Sequence, residues 1–290
     1  MQGLLVTGLV YLELHIPEGA RKQRPAPGRE TFVPDLPVRV GGALNVASVL
    51  RALDAPVRLA TPLGSGIAGK LLRSLAEDLK LPLLEWPSTR DASVSVVFHE
   101  EGDRAFLSTA DFAALEAVAE LPPVGWLHVP GLREARSLQR ALSLARQRGT
   151  RISLNASWDP SGFELLLGGD ALSSDLLVMN ELEAIELAGS PDEALRLFSQ
   201  KTPSVVITLG SGGAVGVFSG RRLEVSARSI EILDPTGAGD AFCAGLLAAV
   251  ERGLPPETGL EWGTEAAARI LTVYGGVLAE KLSFAREVNL

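Results

Sequence analysis

Short apolar runs alternate with segments of helical period along almost the whole chain, and this alternation most constrains its fold. "GLLVTGLV" is an apolar run bounded by glycine and reads as one buried strand. "GGALNVASVLRALDA" sets Leu44, Ala47, Leu50 and Leu53 at helical spacing. "PVRLATPLG" follows as a strand and "IAGKLLRSLAEDL" as a helix. "VGWLHVPG" is the next strand, before one long helix, "REARSLQRALSLARQRG", that ends on Gly149. The strands "RISLNAS" and "DLLVMN" lead to helices in "ELEAIELAG" and "SPDEALRLFSQK", the second opened by Ser190 and Pro191. "SVVITLG" reads as a strand, "GAVGVFSGRRLEVSA" as a hairpin, and helices over 239–252 and 257–273 complete the pattern. Such a chain builds right-handed βαβ units. The expectation is an α/β fold: a three-layer sandwich around a mostly parallel central sheet, in a single domain over 1–290.

Two segments break the alternation. "PEGARKQRPAPGRETFVPD" is polar, proline-rich and too irregular for core. "ASVSVVFHEEGDRAFLST" holds two β-rich runs around the turn signal "EEGD". Together they predict a small β-sheet lid, with segments near 12–40 and 91–110.

Charge and composition exclude several functions. The formal net charge is -8, so a basic nucleic-acid footprint is not expected. No run approaches the roughly 20 apolar residues of a membrane helix, and the N-terminus lacks the basic start of a signal peptide. A single cysteine, Cys243, rules out an intrachain disulfide and fits a reducing, cytoplasmic compartment. His15, His99 and His128 lie far apart and show no zinc spacing.

Two glycine-rich stretches imitate phosphate loops. "GSGIAGKL", 64–71, puts Leu71 where a P-loop needs a hydroxyl, so it reads as a strand-to-helix turn. "GSGGAVG", 210–216, resembles a dinucleotide fingerprint, yet its glycines lead into β-rich sequence rather than a helix. That disfavours an NAD-linked dehydrogenase and leaves a glycine-rich turn beside a flat ligand.

"DPTGAGDAFCAGLLAAV", from residue 234, is different. Pro235 disfavours helix at Asp234. Gly237, Ala238 and Gly239 carry little bulk, and a strongly apolar helix follows them. N–H groups at a helix start, backed by the helix dipole, form an anion site. Asp240 is then either a first-turn cap or a base beside the anion. Capping alone does not call for the glycine run.

The same residues resemble the signature of the ribokinase-like (PfkB) carbohydrate kinases, and the resemblance extends along most of the chain. "GGALNVASVLRALDAPVRLATPLG" resembles that family's glycine-glycine sugar-binding signature, "MNELEA" its N-x-x-E motif, and "VVITLGSGGAVGV" its nucleotide-binding strand and turn. The resemblance implies Asp240 as catalytic base, with Gly237, Ala238 and Gly239 as the anion hole. It implies substrate contacts at Glu13, Gly41, Gly42 and Asn45. It also implies a nucleotide site at Asn180, Glu183, Thr208, Gly210 and Gly213. Magnesium would be held near Glu183 through water, and a monovalent cation such as potassium near Asp234. The implied partners are ATP, a small-molecule substrate and, through the lid, a second copy of the chain.

Read alone, several of these residues also suit plain structural roles. Glu183 suits the first turn of any helix. Gly41 and Gly42 suit a loop before a helix, and Asn45 suits a helix surface. Cys243 reads as packed core.

The departures from the family pattern concern the substrate. Glu13 stands where the family usually has aspartate, 64–66 lacks an acid often found there, and "LNASWDPSG" lacks a D-x-N-x-R run. "LTVYGG" is only a loose match to the family's C-terminal cation segment. The reading is therefore ATP-dependent phosphorylation of a hydroxyl on a small sugar-like or nucleoside-like molecule. Its alternative is a non-catalytic sugar or nucleotide sensor on a kinase fold.

Overall fold

A computed structural model describes residues 3–17, 27–100, 103–157, 159–167, 173–282 and 284. Nine strands form the large sheet: β1 (Leu4–Thr7), β4 (Val57–Pro62), β5 (Leu83–Trp86), β8 (Trp126–Val129), β9 (Arg151–Asn155), β10 (Leu176–Asn180), β11 (Ser204–Thr208), β12 (Ala214–Phe218) and β13 (Arg221–Val225). Their order is β13-β12-β11-β10-β9-β8-β1-β4-β5. All neighbours pair in parallel except β11 with β12 and β12 with β13, which form the antiparallel edge.

Helices cover both faces because the strands are apolar on both. Val6, Leu59, Trp126 and Val178 pack under α1 (Ala43–Ala52), α2 (Ile67–Asp78), α9 (Ala238–Glu251) and α10 (Pro256–Ile270). Leu5, Leu127, Leu154 and Ile207 pack on the opposite side. There they meet α3 (Phe112–Glu116), α4 (Leu132–Ser137), α5 (Gln139–Gln147), α6 (Pro160–Leu167), α7 (Glu181–Ala188) and α8 (Pro191–Phe198). The fold is therefore the expected three-layer α/β sandwich with a mostly parallel sheet.

A second sheet of four strands, in the order β3-β2-β6-β7, forms the lid: β2 (Val10–Ile16), β3 (Val38–Gly42), β6 (Ser93–Glu100) and β7 (Asp103–Thr109). Cross-strand register gives it two unlike faces. One carries Glu13, His15, Arg39, Ser95, His99, Arg104 and Ser108; the other carries Leu14, Val38, Val96 and Leu107 in one row.

Three sequence expectations change. "GLLVTGLV" is two strands, since the chain leaves the large sheet after Thr7 and enters the lid at Val10. The long helix after Pro130 is two, α4 and α5, meeting at Leu138. Gly41 and Gly42 are not loop: they end β3, opposite Tyr11 and Val10. Residues 18–26 of the proline-rich excursion and 101–102 of the "EEGD" turn lie outside the described residues.

Among the described residues, no helix is long and apolar enough to cross a membrane.

Candidate active site

The glycine-lined helix start begins at Gly237, which caps α9 at φ 77°. A side chain there would be both strained and crowded, since a Cβ would lie 2.7 Å from the Gly276 Cα. The first α-helical bond runs from the Ala241 N–H to the Gly237 carbonyl, 2.8 Å. The Gly239 and Asp240 N–H groups precede that bond and so have no acceptor within the helix. Ala238 differs, because its N–H reaches the Pro235 carbonyl at 3.4 Å. A Cβ built on Gly239 would meet nothing within 4 Å. The space over the helix start is open, and its donors suit an anion the size of a phosphoryl group.

Asp240 stands at the rim of this space, half-buried. Its pKa is raised to about 6, first by burial and further by the Glu13 charge; the Asn45 hydrogen bond and Arg104 pull it down. Asn45 donates from Nδ2 to Asp240 Oδ2 at 2.9 Å. Asn45 is 3% exposed, so it is not a helix-surface residue, and its Oδ1 is buried with no partner. The sequence places it there through Gly42, the N-cap of α1, at φ 71° and ψ -142°. A Cβ at Gly42 would strike the Leu9 carbonyl, so only glycine lets the lid strand run straight into α1.

Glu13 lies on the polar lid face and is 8% exposed. Gly41, on the neighbouring strand, leaves the room its carboxylate fills: a Cβ at Gly41 would strike Glu13 Oε1.

Asp234 is 4% exposed. It accepts from the Thr236 N–H at 2.9 Å and the Gly275 N–H at 3.0 Å, and it pairs with Arg39. Burial alone would raise its pKa, but the Thr236 and Gly275 donors and the Arg39 charge together hold it below the usual carboxylate range. A cation beside Asp234 would share the carboxylate with these three groups.

The remaining residues gather at the C-terminal ends of β10 and β11, where α/β sheets commonly bind ligands. Asn180 and Thr208 are direct neighbours across those strands. Asn180 and Glu183 form a reciprocal capping box at the start of α7, with both bonds at 2.8 Å. Burial raises the Glu183 pKa, the Asn180 N–H opposes this, and the Asp240 charge adds to it. Glu183 thus caps its own helix within the electrostatic reach of Asp240. Gly210 opens a single 3-10 turn and Gly213 closes it, before β12 rather than a helix. Among the described residues, no group of three or more His, Cys, Asp or Glu side chains could hold a metal. Magnesium bound here would depend on phosphate and water oxygens, which suits its reluctance to dehydrate.

The other phosphate-loop imitation is closed by the fold itself. Asp91 accepts from the Ala68 and Gly69 N–H groups at the start of α2, at 3.2 and 3.0 Å. That helix end already holds its anion.

Sequence reasoning missed two arginines. Arg39 reaches Asp234, and Arg104 donates to Thr236 Oγ1 at 3.0 Å, so both tie the lid to the loop before α9. The available signal was the period-2 alternation that puts Arg39 on the same face as Gly41.

A family model described as "pfkB family carbohydrate kinase" matches residues 23–281. A cytidine kinase of Thermococcus kodakarensis is 28% identical over 95% of this chain and 98% of its own. A fructokinase of Vibrio alginolyticus is 25% identical over 87% of this chain and 85% of its own. Among solved structures, a nucleoside kinase of Methanocaldococcus jannaschii superposes with a TM-score of 0.78 at 18% identity, over 97% of this chain and 95% of that one. An Arabidopsis thaliana ribokinase complexed with ribose and ATP gives 0.74 at 20%, over 97% and 96%. Because the match runs from the lid strand β3 through the glycine-lined helix start, the chain belongs to the pfkB family of carbohydrate kinases and is an ATP-dependent phosphotransferase with an alcohol group as acceptor.

Proposed function

We propose that the acceptor is a small sugar or nucleoside whose neighbouring hydroxyls bind Glu13 and whose reacting hydroxyl faces Asp240. The observation that carries this is the placement of Asp240: a carboxylate of raised pKa at the rim of an open, glycine-lined helix start. Asn45 holds Oδ2, which leaves Oδ1 to take the hydroxyl proton. Asp240 removes the hydroxyl proton as the oxygen attacks the terminal phosphorus of ATP, and the bond from that phosphorus to the bridging oxygen breaks, its electron pair leaving with ADP. The N–H groups at the start of α9, with the helix dipole, stabilise charge on the transferring phosphoryl group. Bound magnesium would neutralise phosphate charge, with Asn180 and Glu183 orienting its waters. Thr208, Gly210 and Gly213 would border the nucleotide. Arg39 and Arg104 draw the lid onto the loop before α9, which excludes water from the reaction.

The apolar outer face of the lid supports a second proposal, a homodimer in which two lids pack together. Val38 and Leu107 there are 61% and 67% exposed, in one row across four strands.

The test is ADP formation by the purified chain with ATP, magnesium and fructose, ribose, cytidine or inosine. ADP should form with at least one acceptor and fall by ~10²-fold or more in Asp240→Asn. Binding of an acceptor without ADP formation would instead identify a sensor.

A further inference from the structure

Three lid residues form a largely buried chain that the phosphoryl-transfer chemistry does not call for. His15 is 2% exposed. Its Nε2 lies 3.3 Å from Glu13 Oε2 and its Nδ1 lies 2.9 Å from His99 Nε2. Glu13 and His15 share one face of β2, and His99 comes from β6 beside it. We propose that His15 is a positioning residue for Glu13, and that His99 fixes the tautomer in which His15 does so. This rests on the reading of Glu13 as the acceptor contact.

The Glu13–His15–His99 chain has one arrangement with both rings neutral. An ionised carboxylate only accepts, so His15 Nε2 must carry a hydrogen and donate it to Glu13 Oε2. In a neutral ring the other nitrogen is then an acceptor, so His99 Nε2 must donate to His15 Nδ1. Glu13 Oε2 is held, and Oε1, the oxygen above Gly41, is left for the acceptor. A glutamate has three side-chain torsions, and fixing them beforehand lowers the entropy lost when a diol binds. His15 is what holds Oε2 in place.

The surroundings favour a neutral His99. It faces His15 from β2, Arg39 from β3, Arg104 from β7 and Asp234 from the loop before α9. Burial first, and the Arg104 and Arg39 charges, push its pKa down, as a proton on His15 would, against Asp234. His99 thus stays neutral near pH 7, with one hydrogen to give to His15.

Two measurements on the full chain test this. The first is nitrogen-15 NMR of the histidine rings. At neutral pH both His15 and His99 should show the Nε2–H tautomer. A proton on His15 Nδ1 would overturn the proposal. These spectra need no His15 variant, so a poorly folding one leaves the question decidable. The second is kinetics with fructose, ribose, cytidine and inosine as acceptors. His15→Leu should raise the acceptor KM about tenfold while the KM for ATP holds. In a Glu13→Gln background the same change should have less than about a twofold effect, since no carboxylate remains to be held. His15→Gln, which keeps a donor, should recover most of the affinity. Independent, additive effects would reduce His15 to a packing residue and overturn the proposal. If wild type forms no ADP with any of the four acceptors, the reading of Glu13 falls first and the substrate role of the pair falls with it.

Discussion

An aspartate with an ordinary pKa is ionised at neutral pH but accepts a proton poorly, and burial changes that balance for Asp240. Its pKa of about 6 means that it is protonated, and useless as a base, on the acid side of that value. The acceptor kcat/KM should therefore rise with pH through about 6 and fall about tenfold per unit below it. A pH–rate profile at saturating ATP checks this, and a flat profile down to pH 4.5 would remove Asp240 as the base. Gly239 gives a complementary prediction. The fold leaves open space at its Cβ, so Gly239→Val should melt within about 4 °C of wild type. It should nevertheless lose ~10²-fold or more in turnover, because the methyls would occupy the phosphoryl position. Melting curves and ADP assays on the same preparation separate the two effects. Gly237, Gly239 and Asp240 stand out in the sequence because glycine and acid types sit in one local run there. Arg39, Arg104, His15 and His99 do not, since they meet through pairing of strands far apart in sequence.

The seam between lid and body depends on two elements that a local reading joins or separates wrongly. β1 and β2 read as one strand because the apolar run continues through the change of sheet at Gly8 and Leu9. β3 and α1 read as separated by a loop because two glycines stand between them, although Gly42 takes part in both. β5 escaped notice because "LLEW" is short, flanked by prolines and only partly buried. The break between α4 and α5 has no glycine or proline to announce it. Gly42 gives the prediction at this scale. Gly42→Ala places a Cβ against the Leu9 carbonyl in a positive-φ conformation, a strain of ~1–3 kcal/mol. The expected result is a melting point lower by several degrees, with turnover lost as well, because Asn45 stands in the first turn of the helix that Gly42 caps. A variant that melts lower yet turns over normally would show that the seam is structural only.

For the whole molecule, the alternation of strand and helix was enough to predict three layers, and no tertiary contact had to be guessed. The lid's two-faced character was less visible, because "VYLELHI" follows directly on a buried strand and its alternation is masked at the start. Its apolar row predicts an assembly of two chains. Light scattering should give about twice the mass of one chain, and a Val38→Lys, Leu107→Lys double variant should give a single chain. A monomeric wild type would leave that face without a second lid.

The direct run from β3 into α1 also bears on how such enzymes are re-engineered. A lid taken from a relative to change the acceptor is not a cartridge with neutral ends. Its last residue is the cap of the helix that carries Asn45, and Asn45 holds Asp240. A graft that shifts this junction by one residue would turn Asn45 away from Asp240, however well the new lid fits its acceptor. Exchange of specificity in this scaffold has to carry the first turn of α1 along with the lid.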